Sequence, residues 1–216
     1  MKHLKLFCLA ALATSAAVLF GVAGSASATT LCTINPGAGS PCPPSSRISS
    51  TVDSVIKTDL VTGTSTEFKE PIGAFETCTA STMEATATKS GSAAETMTAS
   101  LPAKSLAFSG CVEGPVVSLG AVELEVHWIS GSLNGTVTAK GLELTVTYRT
   151  MGSCVYTSGT EVDIGKLTGS ATSTSEARLE VDAKFTKKSG FFCPSSMEWL
   201  AEYRVTQPKP VYVLSS

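Results

Sequence analysis

The chain of 216 residues carries 16 basic and 18 acidic side chains, a formal net charge of −2. No Lys or Arg cluster stands out, which excludes nucleic acid as a partner, because phosphate binding needs concentrated positive charge. Thr and Ser supply 57 residues and aromatics only 6 %, a composition that suits strands with hydroxylated outer faces.

Lys2 and Lys5 open the chain, an apolar run covers residues 6–20, and small residues lead to Ala26-Ser27-Ala28. These parts in this order read as a secretory signal peptide, residues 1–28, cleaved after Ala28. An uncleaved anchor is the alternative, since residues 6–23 approach the span of a thin bilayer. Cys8 opens the apolar run instead of following it, which argues against lipidation. Removing 28 of the 216 residues leaves 188, enough for one large β domain or two small ones. No later apolar stretch approaches membrane-spanning length, so the cleaved protein is expected to carry no integral span.

Residues 29–50 are rich in Pro, Gly and Ser, a composition that suits neither a helix nor a central strand. They read as a leader tied by a disulfide and lying against the domain. The β domain is expected over 51–216, and a division into related units, 51–150 and 151–216, is left open. From Thr51 onward the apolar residues recur every second position. Val122, Leu124, Val126 and Trp128 alternate with Glu123, Glu125 and His127, and Leu142, Leu144, Val146 and Tyr148 repeat the pattern. Ala177 to Phe185 and Met197 to Val205 do the same. Such alternation marks strands with one buried and one wet face. Turn residues recur between these runs, for example Gly63, Gly91, Gly114-Pro115, Gly131, Gly152 and Gly190. The expected fold is all-β, an antiparallel sandwich or barrel of roughly a dozen short strands, disulfide-bonded.

Behind the expected signal peptide stand six cysteines: Cys32, Cys42, Cys78, Cys111, Cys154 and Cys193. An even count beyond an export signal implies disulfides, and sequence alone allows about 15 pairings. Neighbour pairing, 32–42, 78–111 and 154–193, is preferred, since the first pair would order the leader and the others would each enclose a few strands. Structural zinc takes cysteines two to four residues apart, and none here are that close. No metal and no cofactor is implied.

Four constellations bear on chemistry. Glu123, Glu125 and His127 share one strand face, where they offer ligands or a hydrolase base, but a wet strand face is the simpler account. Ser54-Val55-Ile56-Lys57 matches S-x-x-K and Lys188-Ser189-Gly190 loosely resembles a K-T-G box. That chemistry puts serine and lysine on one helical turn, whereas this segment alternates as a strand. Asn134-Gly135-Thr136 fits a glycosylation acceptor, and equally a hairpin turn. Trp128, Tyr148, Trp199 and Tyr203 would line a sugar platform, although their alternation favours core packing. No G-x-S-x-G elbow is present.

The segments A-T-T-L-C at 28–32, S-P-C-P at 40–43, L-A-F-S-G-C at 106–111 and G-K-L-T-G-S at 165–170 carry a resemblance, with C-P-S-S-M-E-W-L-A-E-Y-R-V at 193–205 and P-K-P-V-Y-V behind it. Together they resemble a group of secreted, cysteine-paired all-β actinobacterial proteins with no assigned activity. The resemblance implies an exported β protein and brings no catalytic residues. The expected function is therefore that of a secreted or cell-surface protein, extracytoplasmic and non-catalytic, with a structural, adhesive or envelope role and cell-surface or glycan contacts. A carbohydrate- or small-ligand-binding module is the alternative, and a hydrolase using His127 is the least favoured.

Overall fold

The structure, a computed structural model, describes residues 28–216 apart from 38–39, 53, 72–74 and 93–94. The expected signal peptide lies outside the described residues except for Ala28. The described strands, in chain order, are β1 (Thr29–Cys32), β2 (Val55–Leu60), β3 (Thr66–Lys69), β4 (Phe75–Lys89) and β5 (Met97–Leu101). Then follow β6 (Leu106–Cys111), β7 (Val116–Leu119), β8 (Val122–Trp128), β9 (Gly135–Lys140) and β10 (Glu143–Tyr148). The last five are β11 (Gly152–Thr157), β12 (Val162–Thr168), β13 (Arg178–Ser189), β14 (Ser196–Gln207) and β15 (Tyr212–Ser215). A single 3-10 turn at Pro44–Ser46 is the helical content of the described residues.

The strands close on themselves twice. β4, β5, β8, β9, β12, β13, β14 and β2 pair in that cyclic order, each antiparallel to the next, to form a first barrel. β4, β6, β7, β10, β11, β13, β14 and β3 pair likewise into a second. The barrels are stacked end to end and share the three longest strands, β4, β13 and β14, which run through both. Of the two architectures open at the sequence level, the fold is the barrel. Closure removes the unpaired edges that an open sheet would expose. Each barrel draws strands from both 51–150 and 151–216.

Alternation places the core. β13 buries Leu179, Val181, Ala183 and Phe185 and exposes the residues between them. β9 and β10 follow the same rule. β4 changes phase as it crosses from one barrel to the other: Glu76 and Cys78 are buried, Thr79 and Ala80 are both exposed, and Ser81, Met83, Ala85 and Ala87 are buried after them. Fifteen strands are described where about a dozen were expected from turn spacing. The difference lies in strands of four residues such as β1, β3, β7 and β15, which are too short to establish a period.

The leader closes the free end of the first barrel. Its first four residues pair with β15 in a two-stranded ribbon, from Thr29 opposite Ser215 to Cys32 opposite Tyr212. This stretch precedes the Pro and Gly residues that break the rest of the leader. Trp128 N donates to Thr29 Oγ1 at 2.7 Å, and Thr30 Oγ1 donates to the carbonyls of Ser90 and Gly91. Gly91 has φ +73°, and a Cβ there would sit 1.9 Å from the Thr29 carbonyl oxygen. Only glycine lets the ribbon seat this closely. The three disulfides join Cys32–Cys42, Cys78–Cys111 and Cys154–Cys193, the neighbour pairing preferred from the sequence. The first braces the leader, and the other two lie in the second barrel.

Candidate functional site

Polar groups buried inside a barrel must find partners or carry a cost of about 1–3 kcal/mol each. Two such groups lie at the far end of the second barrel, where the chain turns from β3 into β4. Glu70, only 7 % exposed, follows β3 directly. Its Oε1 accepts from Tyr148 Oη at 2.6 Å and from Tyr156 Oη at 2.5 Å. These tyrosines reach it from β10 and β11, at inward positions of the alternating pattern. Burial, and then the hydrogen bonds to Glu70, push both phenols well above their ordinary range. Glu70 Oε2 is buried without a partner.

Glu76, at the start of β4, is fully buried and surrounded by backbone donors. Its Oε1 accepts from Thr77 N and Val112 N, its Oε2 from Gly114 N, and Glu113 N reaches both oxygens. Consecutive amides converging on one carboxylate form an anion nest, here filled by the protein's own side chain. Glu76 thus fixes the β6–β7 turn across the end of the barrel. Glu76, Cys78 and Cys111 are the described residues close enough together to suggest a metal. Both sulfurs are committed to a disulfide and the carboxylate to amides, so this donor set is not available to a cation.

An open cleft of about 340 Å³ flanks this end, lined by Lys69, Glu70, Pro71, Lys184, Ser196 and Glu198 among others. Its charged groups pair with each other or with neighbours: Lys184 lies 3.7 Å from Glu198, and Lys69 2.8 Å from Glu67. A second cavity, about 70 Å³ and wholly apolar, lies inside the first barrel. Met97, Ala99, Leu124 and Val137 form part of its wall, and Leu31, Ile48 and Val211 close it from the plugged end.

The candidate residues of the sequence fall elsewhere. His127 is on the outside of the first barrel with a side chain 40 % exposed, 3.6 Å from Glu125 and 3.5 Å from Thr138. Lys140 spans the same face, 2.6 Å from Glu125 and 3.5 Å from Glu123, and its ammonium pKa is raised chiefly by the bond to Glu125. This is a cross-strand ladder of charges on a flat wall. Lys57 points outward to Glu84 at 3.2 Å, while Ser54 offers its carbonyl to Ala87 N, so S-x-x-K is part of the sheet. Lys188 reaches Glu143 at 2.5 Å.

The aromatic set also divides. Trp199 is buried against Phe68, Phe108 and Tyr203, with ring centroids 5.9–6.3 Å from it. Tyr203 bonds Ser81 at 2.7 Å where the barrels meet, and burial pushes its phenol up to about 12. Trp128 is half-buried at the other end, donating to the Ser132 carbonyl. Asn134 sits in the turn before β9 and accepts from Gly169 N through Oδ1. Sequence reasoning missed Glu70, Glu76 and Tyr156. The signal for Glu76 was an acid two residues from Cys78, on the inward register of β4; Glu70 gave none, because its partners lie 78 and 86 residues away. Comparison with family models, with curated proteins and with solved structures finds no match to this chain.

Proposed function

We propose that this is an exported, non-catalytic protein that acts through the outside of its double barrel, in a structural, adhesive or envelope role. The observation that carries the reading is the placement of His127, the one histidine among the described residues, together with the engagement of Glu76 and of Glu70 Oε1 by the protein's own groups. Glu76 is filled by backbone amides and Glu70 holds two tyrosines, while His127 lies on a flat wall instead of in a cleft. A general base needs a substrate-sized recess with converging polar groups, and the arrangement around His127 offers none. Three disulfides fit an oxidising, extracytoplasmic compartment. Among the described residues no helix is long and apolar enough to cross a membrane. The resemblance to secreted β proteins points the same way.

A second reading, a module for a small apolar ligand, draws on the apolar cavity of the first barrel. Eight-stranded barrels of this size either fill with side chains or hold one small ligand. A carbohydrate platform draws no support from Trp199, Tyr203 and Tyr148, which are buried.

Thermal unfolding of the exported protein with glycans, divalent metals and short alkyl ligands separates these readings. A ligand at a hundred times its Kd adds about 2.7 kcal/mol, or about 5–10 °C for a chain of this size. The surface reading expects no such shift. A rise with alkyl ligands transfers the assignment to the first barrel, and a rise with a glycan or metal overturns it.

A further inference from the structure

The hairpin joining β13 to β14 ends in two exposed aromatic rings packed against each other. Phe191 is 90 % exposed and Phe192 71 %, and their centroids stand 4.8 Å apart in an edge-to-face pair. Phe68 and Phe185, by contrast, are buried, and Phe108 packs against the core. Large apolar side chains exposed in a contiguous pair call for an explanation that scattered ones do not.

The tip is also rigidly built. Cys193 follows Phe192 and is bridged to Cys154 on β11. Lys187 donates from Nζ to the Cys193 carbonyl at 2.9 Å, and Lys187 N donates to the Ser195 carbonyl. Gly190 turns the chain at φ +117°, where a Cβ would lie 2.2 Å from Cys193 Sγ. Bracing of this kind removes the ordering cost that a loop would meet on binding.

We propose that the Phe191–Phe192 tip is a membrane-docking point, inserting both rings into the interface of a lipid bilayer while the barrels stay outside it. The inference rests on the reading that the protein acts through its outer surface, and names what that surface meets. Shape and charge favour a bilayer over a protein partner. A stable protein interface needs about 800 Å² on each side with a broad apolar centre, and here two rings project from a convex hairpin among lysines and serines. A bilayer accepts such a point, with rings at the level of the headgroups and cations beside the phosphates.

One cation stands at the tip: Lys187 donates to the carbonyl of Cys193, the residue after Phe192, and has no carboxylate within 4.0 Å among the described residues. Val112, also exposed, stands on the opposite rim of this end, next to half-buried Glu113.

The test is co-sedimentation of the exported protein with vesicles of equimolar phosphatidylglycerol and phosphatidylcholine, beside the Phe191→Ser/Phe192→Ser double variant. Because both rings are exposed, the variant should fold, and unchanged circular dichroism and Tm verify this. The expected result is at least a tenfold loss of vesicle binding in the variant, with a weaker salt-sensitive remainder. In a second measurement, Phe192→Trp adds fluorescence that brominated lipid quenches. Equal binding by parent and variant, no binding by the parent, or an absence of quenching overturns the proposal. So does concentration-dependent self-association abolished by the double variant, which would make the tip a contact between copies. Failure in these arms leaves the thermal-shift result, and the surface reading, unaffected.

Discussion

The two barrels use the same number of strands and three of the same strands, yet their interiors are unlike. The first is lined mainly by aliphatic residues and methionine, with Thr58 among them, retains a cavity of about 70 Å³, and is closed by a ribbon from the leader. The second is filled by Phe68, Phe108, Tyr148, Tyr156 and Trp199 around Glu70, and is closed by its own turns and two disulfides. Eight strands enclose a space that side chains can just fill, so the side chains decide which barrel is full. Small residues such as Ala85, Ala87 and Ala99 on adjacent strands leave the first barrel under-filled. Rings fill the second, but their hydroxyls then need a buried acceptor, and Glu70 supplies it.

High pH should produce the largest difference between the barrels. An unfolded tyrosine loses its proton near pH 10, whereas Tyr148, Tyr156 and Tyr203 hold theirs beyond it. Their contribution is complete below pH 10. Above it the unfolded chain binds fewer protons than the folded one, so stability falls as pH rises. The slope is about 1.4 kcal/mol per pH unit for each tyrosine, or about 4 kcal/mol for the three. Urea midpoints at pH 9 to 11.5 check it, and Tyr203→Phe should remove about a third of the slope. A flat profile would break the contrast between the barrels.

A smaller effect comes from the acceptor itself. Glu70→Leu strands two tyrosine hydroxyls and should cost about 3 kcal/mol, while Glu70→Gln keeps a carbonyl acceptor and should cost less than about 1. Equal losses for the two would mean that the acid, not the acceptor, matters. The smallest effect concerns volume. Ala183 is fully buried opposite Trp199, so Ala183→Leu should destabilise by about 1–3 kcal/mol. Ala99→Val, facing the cavity of the first barrel, should be neutral or stabilise by up to about 1 kcal/mol. Chemical denaturation measures both, and matching losses would erase the difference in filling.

Alternation made β8, β10, β13 and β14 legible in the sequence, because period two needs only neighbours along one strand. Cysteine order made the disulfides legible in the same local way. Closure into two rings was not, since it depends on which strands pair. β14, for instance, pairs with β13, β2 and β3 along different parts of its length. The phase change at Thr79–Ala80 would read as a broken strand to any periodic count. Glu70 was illegible for a related reason: Tyr148 looked like an ordinary inward residue, Tyr156 drew no notice, and nothing near either in the chain foretold a carboxyl group. The exposed pair at Phe191–Phe192 stood in plain view as two rings in a turn, between Gly190 and Cys193.

The strands common to both barrels also govern timing. β13 and β14 are needed to close each ring, and they occupy residues 178–207 of the chain. As the polypeptide emerges from the ribosome or passes a translocation pore, its earlier strands meet only part of their neighbours. Neither barrel can be completed ahead of the other, so folding cannot proceed vectorially, one unit after the next. The chain must wait, largely open, until Gln207 has appeared, and then both rings shut on the same pair of strands. With so many distant pairings, such closure is slow, and the unclosed chain would depend on chaperones in whichever compartment receives it.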